Sequence, residues 1–361
     1  MIKLNDGKVG VKEFTTLIIF MIGIKFKDAT PDLLYEVGKN AAWMIPLFSL
    51  LFFIVPFLML LALLKKHQKG FVELIIKLTG NVIGTIIVSF LFVLFFSSTI
   101  VNFRSHTEIV NTLFYQKTPF PVLFFLIVTA SFFIAKRGFE TIGRTAWLVF
   151  PYLVVLMVFL VIFTWRQINW EFFFPIEGPG IMTVMKESVK YSSIIGEVII
   201  LTAFYPFLRN DKAFRKSSYV GVIFSCVQLS FFLALLVLVF DYPGVAHMNF
   251  PYQQLTRYVT IGQTVSHIEG LFLGFWSMVT AIHFALYLFL SSFLLAGFLR
   301  LKENFRLMLP LAGLVFLIGL FPENIFTLTH YRKVIVVCGS WFAFFLPILL
   351  WVIDKWKGRI Q

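Results

Sequence analysis

The sequence predicts an all-α membrane protein with about ten transmembrane helices. Of its 361 residues, 59% are hydrophobic and only 14% charged, and the mean hydropathy is +0.89. The apolar runs between charge clusters are each about as long as a bilayer core is thick, roughly 20 residues. So little polar surface cannot coat a water-soluble globule, so lipid is the expected solvent for most outward-facing side chains. The whole of 1–361 reads as one transmembrane domain.

Taken in order, the stretch from Met1 to Gly10 is polar and carries Asp6, and no small-residue cleavage site follows the apolar run Phe14 to Ile24. The first helix is therefore expected to be kept rather than removed as a signal peptide. Charge clusters and Pro/Gly breaks place the spans at 11–36 (interrupted), 41–64, 82–108, 119–135, 142–164, 190–208 (interrupted), 214–240, 266–298, 305–321 and 331–353. Between the fifth and sixth spans, Ile181, Met182, Met185 and Val189 oppose Lys186, Glu187 and Lys190, which predicts an interfacial helix over Ile181 to Tyr191. A second short helix is expected from Tyr252 to Ile261, before the eighth span.

An even number of spans puts both termini on one side of the membrane. That side then holds 20 of the 31 Lys and Arg but only 7 of the 18 Asp and Glu, so it carries the whole net charge of +13 and leaves the other side neutral, 11 against 11. The positive-inside rule makes it cytoplasmic. The basic residues are scattered over short loops rather than gathered in one domain, which argues against a nucleic-acid partner. Cys226 and Cys338 sit inside apolar runs, where a cysteine is expected as a small buried hydrophobe rather than a disulfide partner or metal ligand.

Two spans carry polar interruptions. The first contains Gly23-Ile24-Lys25-Phe26-Lys27-Asp28, with Pro31 opening a second helical piece, and the sixth contains Ser192-Ser193-Ile194-Ile195-Gly196-Glu197. Gly23 and Gly196 lie 173 residues apart, and the unusually long third and eighth spans each follow an interrupted one by two elements. This spacing predicts two five-helix repeats, about 11–164 and 190–353, inverted because five is odd.

The interruptions supply the candidate functional residues. A carboxylate within a spanning helix costs roughly 2.5 to 3.5 kcal/mol on insertion scales unless paired or hydrated, so Glu197 is expected inside the bundle. It reads equally as a ligand or proton site and as a cap on backbone N–H groups freed at the break. Lys25 either neutralises Glu197 or snorkels to the outer surface with Lys27, and the sequence favours snorkelling. Freed backbone N–H groups near Gly23 suit a carboxylate, although an isolated glycine in a membrane helix more often marks packing. The candidate ligand site is therefore Gly23, Lys25, Ser193, Gly196, Glu197 and Trp276. In the eighth span, Glu269, Trp276, Thr280, His283 and Tyr287 share one interior face. Of these, Glu269, Thr280, His283 and Tyr287 are candidates for gating or a proton path, with simple buried packing open for His283. In the seventh span Ser218, Gly221, Ser225 and Gln228 read mainly as helix packing; Arg104 and Glu108, four apart, pair; and Ser97 and Ser98 are placed to line a cavity.

Ile22-Gly23, Gly196-Glu197, Phe250-Pro251, Ile268-Glu269, Leu271-Phe272 and Trp276 together resemble the B subunits of bacterial spore germinant receptors, a branch of the amino acid/polyamine/organocation transporter superfamily. Lys25 departs from the small residue common in related transporters, and His267 stands where arginine is expected. The resemblance implies a LeuT-like form of the 5+5 inverted repeat, with helices 1 and 6 interrupted. It also implies a receptor subunit for a nutrient germinant, an amino acid or similar small molecule, in the spore inner membrane. Implied partners are a larger membrane A-type subunit and a lipoprotein C-type subunit. Two other readings stay open: a proton-coupled amino acid or amine transporter, and a gated water or ion pore. The sequence has no phosphate-binding loop, no H-E-x-x-H, no C-x-x-C and no nucleophile-base constellation, so neither an enzyme nor a metal or cofactor site is expected.

Overall fold

The computed structural model describes residues 8–258, 268–301, 303–322 and 325–360. The chain opens with α1 (Val11–Met21), a 3-10 turn (Gly23–Lys27), α2 (Thr30–Gly38) and a second 3-10 turn (Lys39–Ala41). Then come α3 (Met44–His67), α4 (Phe71–Thr79), α5 (Asn81–Leu113), α6 (Phe120–Ala135) and α7 (Phe139–Thr164). Two 3-10 turns, Trp165–Gln167 and Trp170–Phe173, lead to α8 (Ile181–Lys190). The single turns α9 (Ser193–Gly196) and α10 (Val198–Leu201) run into a 3-10 stretch, Thr202–Phe207. The remainder is α11 (Asp211–Phe240), α12 (Tyr242–His247), α13 (Pro251–Tyr258), α14 (Ile268–Phe298), α15 (Phe305–Gly319) and α16 (Ile325–Ile360). No β-strand forms among the described residues; there is one isolated bridge, Val9 with Leu208.

Among the described residues, six helices, α3, α5, α7, α11, α14 and α16, are long and apolar enough to cross a bilayer. At 16 and 15 residues, α6 and α15 are apolar but reach only about 24 and 22 Å. Their outward faces are apolar: Leu51 and Val55 on α3, Val82 and Ile86 on α5, and Leu148 and Val155 on α7 are all more than half exposed. Apolar surface on this scale is stable only against lipid, and the chain is a multi-pass membrane protein.

Both expected interruptions are present. After α1 the backbone tightens into 3-10 geometry at Gly23, and Asp28 Oδ1 accepts from the Thr30 N–H at 2.7 Å. Pro31 lies in the first turn of α2, where its missing donor removes nothing. The sixth segment never builds more than one regular turn at a time. Glu197 joins α9 to α10, and Pro206 in the following 3-10 stretch prevents a return to α-helix.

Contacts fix which ends lie together. Val9 N–H donates to Phe207 O at 3.0 Å, Lys65 lies 3.9 Å from Asp211, and Lys66 meets Asp354 at 2.7 Å. Both ends of the described chain therefore sit at one end of the bundle, called here the terminal end, as an even number of crossings requires. At the opposite end, Lys333 pairs with Glu36 at 2.7 Å, and Asn40 Nδ2 donates to Phe172 O and Phe174 O at 3.2 and 3.0 Å.

The short helix before the eighth span is seen as Pro251–Tyr258; 259–261 fall outside the described residues. In α8, Ile181, Met182 and Val189 are exposed while Val184 and Ser188 are buried, so the predicted apolar face points away from the bundle. Helix α4 falls where a charged loop was expected. Its buried Phe71, Val72, Leu74, Ile75 and Leu78 follow a helical period that Lys69, Glu73 and Lys77 mask.

The seventh-span stripe lies on α11, which packs against α1. A Cβ added at Gly221 would stand 2.8 Å from Ile18 Cβ. The hydroxyls of Ser218 and Ser225 are buried and find no hydrogen-bond partner among the described residues. We predict that Gly221→Leu destabilises the protein by about 1 to 3 kcal/mol through overpacking. Ser218→Ala, which removes an unsatisfied hydroxyl, is expected to stay within about 0.5 kcal/mol or to stabilise. Thermal unfolding in detergent micelles measures both.

Candidate functional site

The two interruptions meet at Glu197. Its Oε2 accepts from Lys25 Nζ at 2.6 Å and from the Tyr287 hydroxyl, and its Oε1 accepts from Ser98 Oγ at 3.2 Å. Lys25 Nζ also donates to Ile194 O at 3.0 Å. One ammonium thus neutralises the carboxylate and satisfies a carbonyl freed in the sixth segment. The side chains are 6% and 16% exposed, so both charges are largely removed from water and each depends on the other.

This overturns the expectation that Lys25 snorkels outward with Lys27. Lys27 is buried as well: its ammonium donates to Thr280 Oγ1 and lies 5.5 Å from the centre of the Trp276 ring. The 3-10 geometry turns both lysines inward, where Glu197, Thr280 and an aromatic face receive them. Trp276 also packs edge-on against Phe26 and Tyr252, at 5.7 and 5.1 Å between centroids.

The remaining candidates divide. Tyr287 joins the Glu197 cluster, and the His283 ring lies tilted against that of Tyr287, 4.5 Å between centroids, with its Nδ1 hydrogen-bonded to Phe20 O. Ser193 is engaged by α16, its N–H donating to Ser340 Oγ at 2.8 Å and its hydroxyl to Val336 O at 2.6 Å. Gly196 lies against α16, where an added Cβ would meet Ala343 Cβ at 2.5 Å. Gly23 faces α11, with Gln228 Oε1 and Ser225 Oγ at 3.0 and 3.2 Å from an ideal Cβ. Both glycines therefore permit close approach of helices. The side chain of Glu269, and His267 altogether, lie outside the described residues. Arg104 and Glu108 pair at 2.9 Å as expected, and Arg104 also donates to Pro322 O at 3.2 Å.

Sequence reasoning missed Arg332 in α16, which is 6% exposed and pairs with Asp28 Oδ2 at 3.2 Å. Its signal was an arginine beside Lys333 at the start of the last span, which reads as a solvated helix end. Arg332, Lys25, Thr30, Ser98, Asn102 and Glu197 line a cavity of about 20 Å³, room for about one water. A more apolar space of about 50 Å³ adjoins it and shares Ser98, Glu197, Ile335 and Val336. Far larger spaces lie towards either end of the bundle. A cleft of about 770 Å³ between α5, α15 and α16 includes Ser97, Pro322 and Tyr331, and a pocket of about 320 Å³ at the terminal end includes Gly70, Asn81 and Arg300. The charged centre is closed between them.

Truncating Glu197 leaves Lys25 buried and uncompensated. We predict that Glu197→Leu lowers stability by about 3 to 5 kcal/mol, and that adding Lys25→Met recovers much of that loss. Glu197→Gln, which keeps hydrogen bonding to Tyr287 and Ser98, is expected to fall between wild type and Glu197→Leu. Thermal unfolding and membrane levels of the variants check this order.

Comparison with known proteins gives the lineage. The family model described as spore germination protein matches residues 8–327. The chain is 24% identical to YfkT of Bacillus subtilis (strain 168) over 349 residues, covering 96% of this chain and 95% of that protein. It is 22% identical to spore germination protein B2 of the same organism over 342 residues, covering 90% and 91%. With spore germination protein KB, also from that organism, it shares 20% identity over 280 residues, 75% of each chain. With most of its length matched, from the polar start of α1 to the opening of α16, the chain belongs to the spore germination protein family.

Proposed function

We propose that this chain is a small-molecule receptor subunit that binds a nutrient germinant, an amino acid or similar molecule, and signals to partner subunits in the spore inner membrane. The observation that carries this reading is the Lys25–Glu197 pair, which ties the two interrupted helices together across a nearly filled centre. A receptor needs two conformations with different affinities for the ligand, because a ligand bound equally by both shifts nothing. A closed centre between two larger spaces is one such conformation, and separation of the two breaks gives the other. Gly23, Lys25, Ser193, Gly196, Glu197 and Trp276 surround the ligand in the open form, with Glu269, Thr280, His283 and Tyr287 on the gating face. The fold in this reading is the inverted 5+5 repeat of ten crossings, about 11–164 and 190–353, with cytoplasmic termini. The role is non-enzymatic. By analogy with receptors of this kind, the partners are a larger membrane A-type subunit and a lipoprotein C-type subunit.

The runner-up, proton-coupled transport of an amino acid or amine, draws on the same carboxylate, since Glu197 and His283 both adjoin Tyr287. Reconstitution of the purified chain in liposomes separates the two readings. The receptor is expected to bind amino acids without accumulating them, whether or not a proton gradient is imposed. Gradient-driven uptake at ordinary transporter rates selects the permease, and ion or water flux without ligand uptake selects the pore.

The orientation is tested by cysteine labelling with Cys226 and Cys338 replaced by serine. Gln116, exposed beyond α5, and Arg137, exposed between α6 and α7, lie on opposite sides in this topology. An impermeant reagent added outside is expected to modify Gln116→Cys and spare Arg137→Cys; the reverse pattern inverts the protein.

A further inference from the structure

Arg332 offers more hydrogen-bonding capacity than the closed structure uses. Its Nη1 serves Asp28 Oδ2 at 3.2 Å and Thr30 Oγ1 at 3.4 Å, while Nη2 is buried and has no partner among the described residues. A buried donor left unmet costs about 1 to 3 kcal/mol, more when charged. The same side chain lines the small cavity beside Asn102 and Ser98.

Of the acids near that cavity, Asp32 on α2 is close enough to Arg332 for their charges to interact but makes no hydrogen bond to it, and the other two are already engaged. Glu197 is held by Lys25, Tyr287 and Ser98, and Asp28 by Arg332 and the Thr30 N–H. Asn102 Nδ2 makes only a long 3.5 Å contact to Ser98 Oγ. What remains to be satisfied is donor capacity, one edge of a guanidinium and one amide, and the complement of a planar cationic fork is a carboxylate. The nearest large space is separated from the cavity by a thin partition. Val101 and Ile335 line both this cavity and the 770 Å³ cleft between α5, α15 and α16, so they form the wall between the two spaces.

We propose that Arg332 is a carboxylate-binding residue: the acid group of the sensed molecule docks on the Nη2 edge of Arg332 beside Asn102, arriving from the cleft through the Val101–Ile335 wall. This rests on the receptor reading above and names the part of the ligand that the site recognises. Lysine cannot substitute, because a single ammonium lacks the second nitrogen edge that faces the ligand while the first holds Asp28.

The test uses the full chain in lipid nanodiscs, with each of the twenty common amino acids and its carboxamide as probes, and reads apparent affinity from ligand-induced shifts in unfolding temperature. At least one amino acid is expected to stabilise the wild type, with its carboxamide about tenfold weaker or worse, as loss of a charge-assisted hydrogen bond implies. Arg332→Lys is expected to unfold at nearly the wild-type temperature without ligand and to lose both the affinity and the discrimination. Ile335→Trp, which blocks the wall without touching a charge, is expected to weaken binding. Equal binding of acid and amide by the wild type overturns the proposal even if Arg332→Lys does not fold. So does full retention of affinity and discrimination in a folded Arg332→Lys, and both outcomes leave the receptor reading standing. No stabilisation by any of the twenty overturns the carboxylate site and the amino-acid form of the receptor reading.

Discussion

A carboxylate on a helix surrounded by lipid must find a cation or water, and in this protein Glu197 finds Lys25. Much else at the centre follows from that constraint. Lys25 reaches Glu197 because helix one has left α-helical geometry at Gly23, and the ammonium then also serves Ile194 O, a carbonyl beside the second break. Each interruption therefore supplies what the other lacks. Tyr287 from α14 and Ser98 from α5 complete the shell around the carboxylate, so three other segments converge on one side chain.

The same logic extends along the first break. Lys27 is received by Thr280 and the Trp276 face, and Asp28 by Arg332, so three charged residues of one short stretch are each matched by a different helix or helix face. Buried ion pairs contribute little net stability beside well-packed apolar residues, but breaking one is severe. Such a network holds the two breaks together as a unit, because parting them would strand several charges at once. Gly23 and Gly196 let α11 and α16 approach closely, which packs the network tightly.

Membership of the spore germination protein family gives this geometry its setting. The centre has room for about one water, whereas the spaces towards the two ends are many times larger. The centre of this bundle is occupied by its own lysine, paired with Glu197.

Composition alone determined that lipid is the solvent, and hydropathy with charge spacing determined where most helices run. Gly23 with Pro31, and Gly196 with Glu197, marked the two interruptions, because small and polar residues in a long apolar run leave few alternatives. The periodicity of Trp276, Thr280, His283 and Tyr287 marked a face that is indeed buried. Periodicity shows which residues share a face but not which helix lies opposite, and that is why tertiary structure decided the rest. It turned Lys25 inward to Glu197, assigned Gly23 and Gly196 to helix contacts, engaged Ser193 with α16, and showed α4 as a helix behind its lysines. It alone brought in Arg332, since a basic residue near a helix end reads as solvated until the fold places Asp28, 304 residues away, beside it.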